Sequence, residues 1–244
     1  MQERVGIQPN ALAHVGGGLY LIIIVIGLFG QVFVRDRIVV SGNAVATAAN
    51  LKAQESLWRL QITTELFLLI CAIVLLQILF IILRPVNRDL AVLAVLFNLV
   101  AIGVEAVSAL DLAAVLFPLG TAAYLQAFTP EQLYAMAMMS VRWHGHGFGV
   151  SLLFFGCFCI VIGFLIFRSG YLPKAIGVLM QIAGVCYMTN SFALFLAPRV
   201  ANRLFPAILV PAFIAELSFC LWLLIKGVDA ERWNEWQRAG NAVP

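Results

Sequence analysis

The sequence predicts an all-α integral membrane protein, a polytopic bundle of six transmembrane helices with short amphipathic helices at its surface. Three observations predict it. Of the 244 residues, 63% are hydrophobic and 11% charged, whereas a soluble domain carries about a quarter charged residues. Mean hydropathy is +1.00. Six apolar runs reach the roughly 20 residues that a spanning helix needs, at about 13–34, 60–83, 89–117, 147–167, 173–197 and 204–226. The connections between them are too short for a separate soluble domain, so 1–244 reads as one membrane domain whose chemistry must come from the bundle or its rims.

Charge says little about partners beyond lipid. The net charge of +3 is spread among helix ends, which excludes the clustered basic face that nucleic acid requires. With the N-terminus on one side, that side collects Arg4, Arg84, Arg88, Arg168, Lys174, Lys226, Arg232 and Arg238, and the other collects Arg35, Arg37, Lys52, Arg59, Arg142, Arg199 and Arg203. Eight against seven barely separates the sides, but the tightest basic turns lie on the first, which favours cytoplasmic termini. The N-terminus lacks a basic region followed by a small-residue cleavage site, so the first run reads as a retained helix. All five cysteines, Cys71, Cys157, Cys159, Cys186 and Cys220, fall inside apolar runs and read as packing residues rather than disulfides.

Taken in order, the first helix opens on Asn10 and His14, spaced i, i+4 ahead of Gly16, Gly17, Gly18 and Tyr20. His14 reads as an interfacial hydrogen-bonding residue, and Gly27, Gly30 and Gln31 form a small polar face for close helix contact. A surface helix is expected at about 44–58, capped by Ser41 or Asn43 and ending at Trp58 and Arg59 in the headgroup zone. The second span then opens with Gln61 and Glu65 on one face. Pro85 terminates it.

The third span carries Asn98, Glu105 and Ser108 at i, i+7 and i+10, one stripe that points a carboxyl group where lipid cannot solvate it. Thr129, Pro130 and Gln132 read as N-cap, first-turn proline and capping-box partner. They start a short surface helix expected at about 130–142, which delivers Trp143, His144, Gly145 and His146 to the fourth span. That span has Gly149, Gly156 and Gly163 at seven-residue spacing, a groove for another helix. The fifth presents Gly177, Gln181, Gly184 and Ser191 on a stripe, with Tyr187 and Asn190 nearby. The sixth holds Pro211, expected to free a backbone carbonyl, and then Glu216. After it, Arg232, Trp233 and Trp236 read as an interfacial amphipathic turn.

Several of these segments resemble a known family. Phe154-Phe155-Gly156, Arg168 to Lys174, Gly177-Val178-Leu179, and Glu216 with Leu221 to Val228 are similar to the bacterial membrane family catalogued as domain of unknown function 4386. Gly17 to Tyr20, the segment Ala44 to Leu57, and Leu83 to Val86 agree in outline. The resemblance spans nearly the whole chain and implies a six-helix protein of the bacterial inner membrane. It implies no reaction, and no role for Glu216 or His146.

The candidate chemistry follows from cost. A carboxylate inside the bilayer costs ~2.5–3.5 kcal/mol or more, so it pairs, binds a cation or takes a proton. Glu65, Glu105 and Glu216 on three spans are therefore expected to line one pocket as candidate catalytic groups, with Asn98, Ser108, Gln181, Tyr187 and Asn190 as candidate ligand-binding residues. His144 and His146 are candidate metal ligands, because an H-x-H pair clamps a metal when extended, and Gly145 and Gly147 permit that form; on a helix the two diverge by about 160°. Imidazoles with a glutamate would suit zinc, iron or copper. The structural alternative is that the glutamates merely fix how the helices dock and the histidines bond headgroups.

Three functions stay open at this point. One is an enzyme or binding protein for a lipid-soluble small molecule, with a glutamate as general acid or base. Another is a proton- or cation-coupled carrier, against which the lack of an inverted repeat between 1–117 and 118–244 counts. The third is an accessory subunit that docks to a larger complex or to further copies of itself.

Overall fold

A computed structural model describes residues 8–240; Arg4, counted above among the basic residues of the first side, lies outside them. The chain runs through α1 (Pro9–Leu28), a π-helical turn (Phe29–Arg35), α2 (Asp36–Ile38), α3 (Ala44–Ala53), α4 (Glu55–Leu83), α5 (Arg88–Ala114), α6 (Pro130–Ser169), α7 (Lys174–Leu196), α8 (Pro198–Leu204), α9 (Val210–Ile225) and α10 (Ala230–Gly240). No strand occurs among the described residues. Six segments are long and apolar enough to cross a membrane: Pro9–Ile38, Glu55–Leu83, Arg88–Leu119, Pro130–Ser169, Lys174–Leu196 and Ala207–Ile225. They correspond one to one with the six expected spans. Six crossings return the chain to the side on which α1 begins.

The caps are local chemistry. Asn43 Oδ1 accepts the Ala46 amide at 2.9 Å and Asn87 Oδ1 the Leu90 amide at 2.9 Å, each satisfying a donor that the first helical turn leaves unpaired. Thr129 and Gln132 form the reciprocal capping box of α6. That helix ends at Gly170, whose φ of 72° is the left-handed conformation that a C-terminal glycine supplies.

Four expectations are corrected. The helix expected at 130–142 is not separate: α6 runs unbroken for 40 residues, ~60 Å against a ~30 Å hydrocarbon core, so its first half stands clear of the membrane on the second side. There it packs with α2, α3 and the adjoining ends of α4 and α5 around Ile38, Leu51, Trp58, Leu112 and Ala137. The second correction concerns Trp58, which is not a headgroup anchor. The helix expected to end there stops at Ala53; Trp58 belongs to α4, is fully buried, and donates its indole N–H to the Leu112 carbonyl at 2.8 Å. Pro211 lies in the first turn of α9, where a missing N–H costs nothing, so it frees no interior carbonyl. Lastly, Trp233 does not face the headgroups: it is buried and donates to Ile82 O at 3.0 Å, the same carbonyl that takes the Tyr171 hydroxyl at 2.7 Å. Two donors thus satisfy a carbonyl that the end of α4 leaves unpaired.

Close helix contacts hold the bundle. A Cβ at Gly163 would meet the Gly177 carbonyl at 2.6 Å, and one at Gly156 the Gly184 carbonyl at 2.8 Å, so the glycines of α6 and α7 bring backbone to backbone. On the first side, α1 and α9 are clasped together. His14 Nδ1 donates to Leu224 O at 2.8 Å, Asn10 Oδ1 accepts from the Val228 amide at 2.9 Å, and Cys220 Sγ donates to Gly17 O at 3.4 Å. All five cysteines are free. Farther toward the second side a cavity lies beside both helices.

Candidate functional site

That cavity has a volume of about 470 Å³ and takes its walls from α1, α4, α5, α6, α7 and α9. Glu65, Glu105 and Glu216, from three different spans, all line it, as do Asn98 and Tyr187. Most of the wall is apolar, with Ile24, Leu28, Leu69, Leu75, Phe155 and Phe213 among its members. Along α1 it reaches from Tyr20 to Arg35, and along α4 from Glu65 to Leu79.

Its polar groups gather at two poles. At the pole nearer the first side, Glu216 receives hydrogen bonds from two phenols: Tyr20 at 3.1 Å, and Tyr187 in a short contact. Both donors spend their only proton on this carboxyl group. Each oxygen of Glu216 thereby has a protein partner.

The other pole is built around Arg35, Glu65 and Glu105. The π-helical turn brings Arg35 there, since residues in a wider turn rotate less per step and Gly27, Gln31 and Arg35 stay on one side of α1. Gln61 donates to Glu65 Oε2 at 3.1 Å. The carboxyl group of Glu105 lies beside that of Glu65 and beside the Ser151 hydroxyl, with the Arg35 guanidinium facing both acids. Ion pairs within 4 Å among the described residues are Arg59–Glu55 and Arg232–Asp229, both at the surface. Arg35 therefore faces the two acids without closing an ion pair to either. Three polar atoms are left buried without a protein partner: Arg35 Nε, Gln61 Oε1 and Glu105 Oε2. Orphan atoms are expensive in the interior and call for an unseen partner.

His144 stands behind this pole. Its Nδ1 donates to the Ser108 carbonyl at 3.0 Å, which leaves Nε2 to accept from Arg35 Nη1 at 2.5 Å. Both ring nitrogens are occupied, and the residue positions Arg35 rather than lining the cavity. His146, two residues on along the same helix, is exposed, donates to the Arg142 carbonyl at 2.9 Å and meets the edge of Phe195. The extended form that would let the pair share a metal is absent, because α6 is helical throughout 142–147. No group of three His, Cys, Asp or Glu side chains that could hold a metal ion occurs among the described residues.

The remaining candidates fall elsewhere. Ser108 bonds to Val104 O at 2.9 Å and nests against Gly147; ten residues past Asn98 at 100° per step puts it about 80° off the stripe. Gln181 donates to Gly177 O at 3.2 Å and packs on Gly163, at the contact of α6 and α7. Asn190 is half-buried and does not line the cavity. Sequence reasoning missed Tyr20, Arg35 and Ser151. Arg35 was read as an interfacial cation, because the π-helical turn that brings it round to the side of Gly27 and Gln31 leaves no mark in a constant helical period.

Comparison with known proteins adds kinship without chemistry. A family model described as "Domain of unknown function (DUF4386)" matches residues 15–227. The chain is also similar to an uncharacterized protein of Archaeoglobus fulgidus, 28% identical over 149 residues that make up 61% of this chain and 72% of that protein. No solved structure matches it.

Proposed function

The chain belongs to the DUF4386 family of unknown function, and from that premise we propose that it binds, and acts on, a lipid-soluble small molecule in an acidic cavity within the membrane. The observation that carries this reading is the convergence of Glu65, Glu105 and Glu216 on one apolar-walled cavity, where Glu105 keeps a buried oxygen free of any protein partner. Carboxylates gathered from three helices at such cost are functional groups by default in a bilayer.

Access from lipid is the second support. Leu28, Val210 and Phe213 line the cavity and are also 43%, 52% and 39% exposed on the outer face of the bundle. A Cβ at Gly27, which also lines the cavity, would meet nothing within 4 Å. An apolar molecule would thus enter sideways between α1 and α9. Chemically, Glu105 is the group available as general acid or base: it is backed by Glu65, faced by Arg35, and free to meet a reacting atom. Glu216, bound by two phenols, is the structural member of the set.

The family resemblance and the clustered basic turn Arg84 to Arg88 support a plasma-membrane location with cytoplasmic termini. Mass spectrometry of what co-purifies with the native protein tests the proposal, with Gly27→Phe as the control that fills the cavity. A bound apolar molecule present in the native protein and absent from the variant is expected. An identical complement of bound molecules in both would refute the reading.

A further inference from the structure

Resting on that reading, we infer the class of ligand: a single-chain amphiphile with a neutral head that both donates and accepts hydrogen bonds, such as a long-chain alcohol. The head would sit between Arg35 and Glu105. Three observations lead there, concerning shape, unmet bonding and charge.

The cavity is tall. Its α4 wall rises from Glu65 to Leu79 and its α1 wall from Tyr20 to Arg35, in both cases ~20 Å at about 1.5 Å per residue. An extended hydrocarbon chain of about 14 to 16 carbons matches that height and the apolar walls along it. Between the poles the walls are aliphatic and aromatic apart from Asn98, and Glu216 at the far pole is already bonded by two tyrosines.

The buried unpartnered atoms among the described residues sit at one end. Glu105 is 7% exposed, with Oε2 unpartnered, and lines the cavity. Arg35 Nε, the orphan donor, belongs to the guanidinium that faces it. A head placed between them must accept from Arg35 and donate to Glu105. A hydroxyl does both with one oxygen.

Charge selects the neutral head. The groups around this space are the carboxyls of Glu65 and Glu105, the guanidinium of Arg35, and the uncharged Gln31 and Ser151, with the Asp36 carboxylate behind Gln31; His144 bonds the far side of Arg35. Acids and a guanidinium face the same space, so a head charged with either sign meets a like charge there. An anionic head would meet the acids and a cationic head the guanidinium, each without solvent to screen the repulsion.

The test uses the full-length protein in phosphatidylcholine nanodiscs loaded with tetradecanol, tetradecanoate or tetradecylamine at equal mole fraction, with bound probe read by native mass spectrometry. Tetradecanol is expected to bind about tenfold more than either charged probe, the difference made by one hydrogen bond to a charged group. Glu105→Leu, which keeps the side-chain bulk, should bring it down to their level. Ala72→Phe, from the middle of the α4 wall, should abolish binding of all three, and Gly27→Phe does the same from the opposite wall if that variant does not fold. Equal binding of the three probes, still lost on filling the cavity, overturns the neutral head while leaving the cavity function standing. Binding unchanged in both filled variants overturns the two together.

Discussion

Replacing His144 with phenylalanine isolates the role of a residue that touches Arg35 and not the cavity. The substitution keeps ring volume while removing the Nε2 acceptor of Arg35 and the Nδ1 donor to Ser108 O. The Ser108 carbonyl loses little, because it has a second lone pair for the helix ladder. Arg35 loses its one hydrogen bond to another helix while its Nε already lacks a partner. A bond to a charged group contributes about 1.5–3 kcal/mol. That corresponds to roughly 10- to 150-fold in the folded-to-unfolded ratio and, for a chain of this size, a fall of about 4–10 °C in Tm. Thermal unfolding in nanodiscs gives the number, and a cycle with Arg35→Leu gives its origin. In the Arg35→Leu background the same substitution should cost almost nothing, since the buried cation it stranded is gone. Additive losses would refute the account of His144 as the residue that holds Arg35. So would a larger loss from His146→Phe, which changes an exposed ring.

Other outcomes follow from the packing. Gly163→Leu forces a side chain against the Gly177 carbonyl, and overpacking of this kind should cost ~1–3 kcal/mol or more in reversible unfolding; an unchanged midpoint would mean that α6 and α7 are not in backbone contact. Glu216→Leu strands the hydroxyls of Tyr20 and Tyr187 and should cost about 2–4 kcal/mol, whereas Glu216→Gln keeps an acceptor and should recover more than half of that on the same assay. Trp58→Phe removes the bond to Leu112 O and should lower stability by about 1 kcal/mol; a headgroup role would instead show as lost membrane partitioning with stability intact.

The fold was legible because bilayer physics writes it in long apolar runs, and the capping box at Thr129 and the glycine spacing of α6 are local signals read without tertiary context. The cavity was half legible. Asn98 and Glu105 on one stripe, and Gln61 beside Glu65, follow from helical periodicity alone. Arg35 does not, since a π-helical turn changes the rotation per residue and periodicity assumes it constant. The run His144 to Gly147 misled for another reason. Two glycines suggest a break, yet Gly147 lacks a side chain to admit the Ser108 hydroxyl, a tertiary demand that leaves no local mark. Trp58 and Trp233 show the same limit, for a tryptophan near a membrane boundary is equally suited to lipid or to a buried carbonyl.

The clasp of Asn10 and His14 onto Leu224 and Val228 ties the earliest crossing to the latest. The sixth span is made after the other five, so until it docks the cavity lacks its α9 wall and the acids of the second and third spans lack that cover.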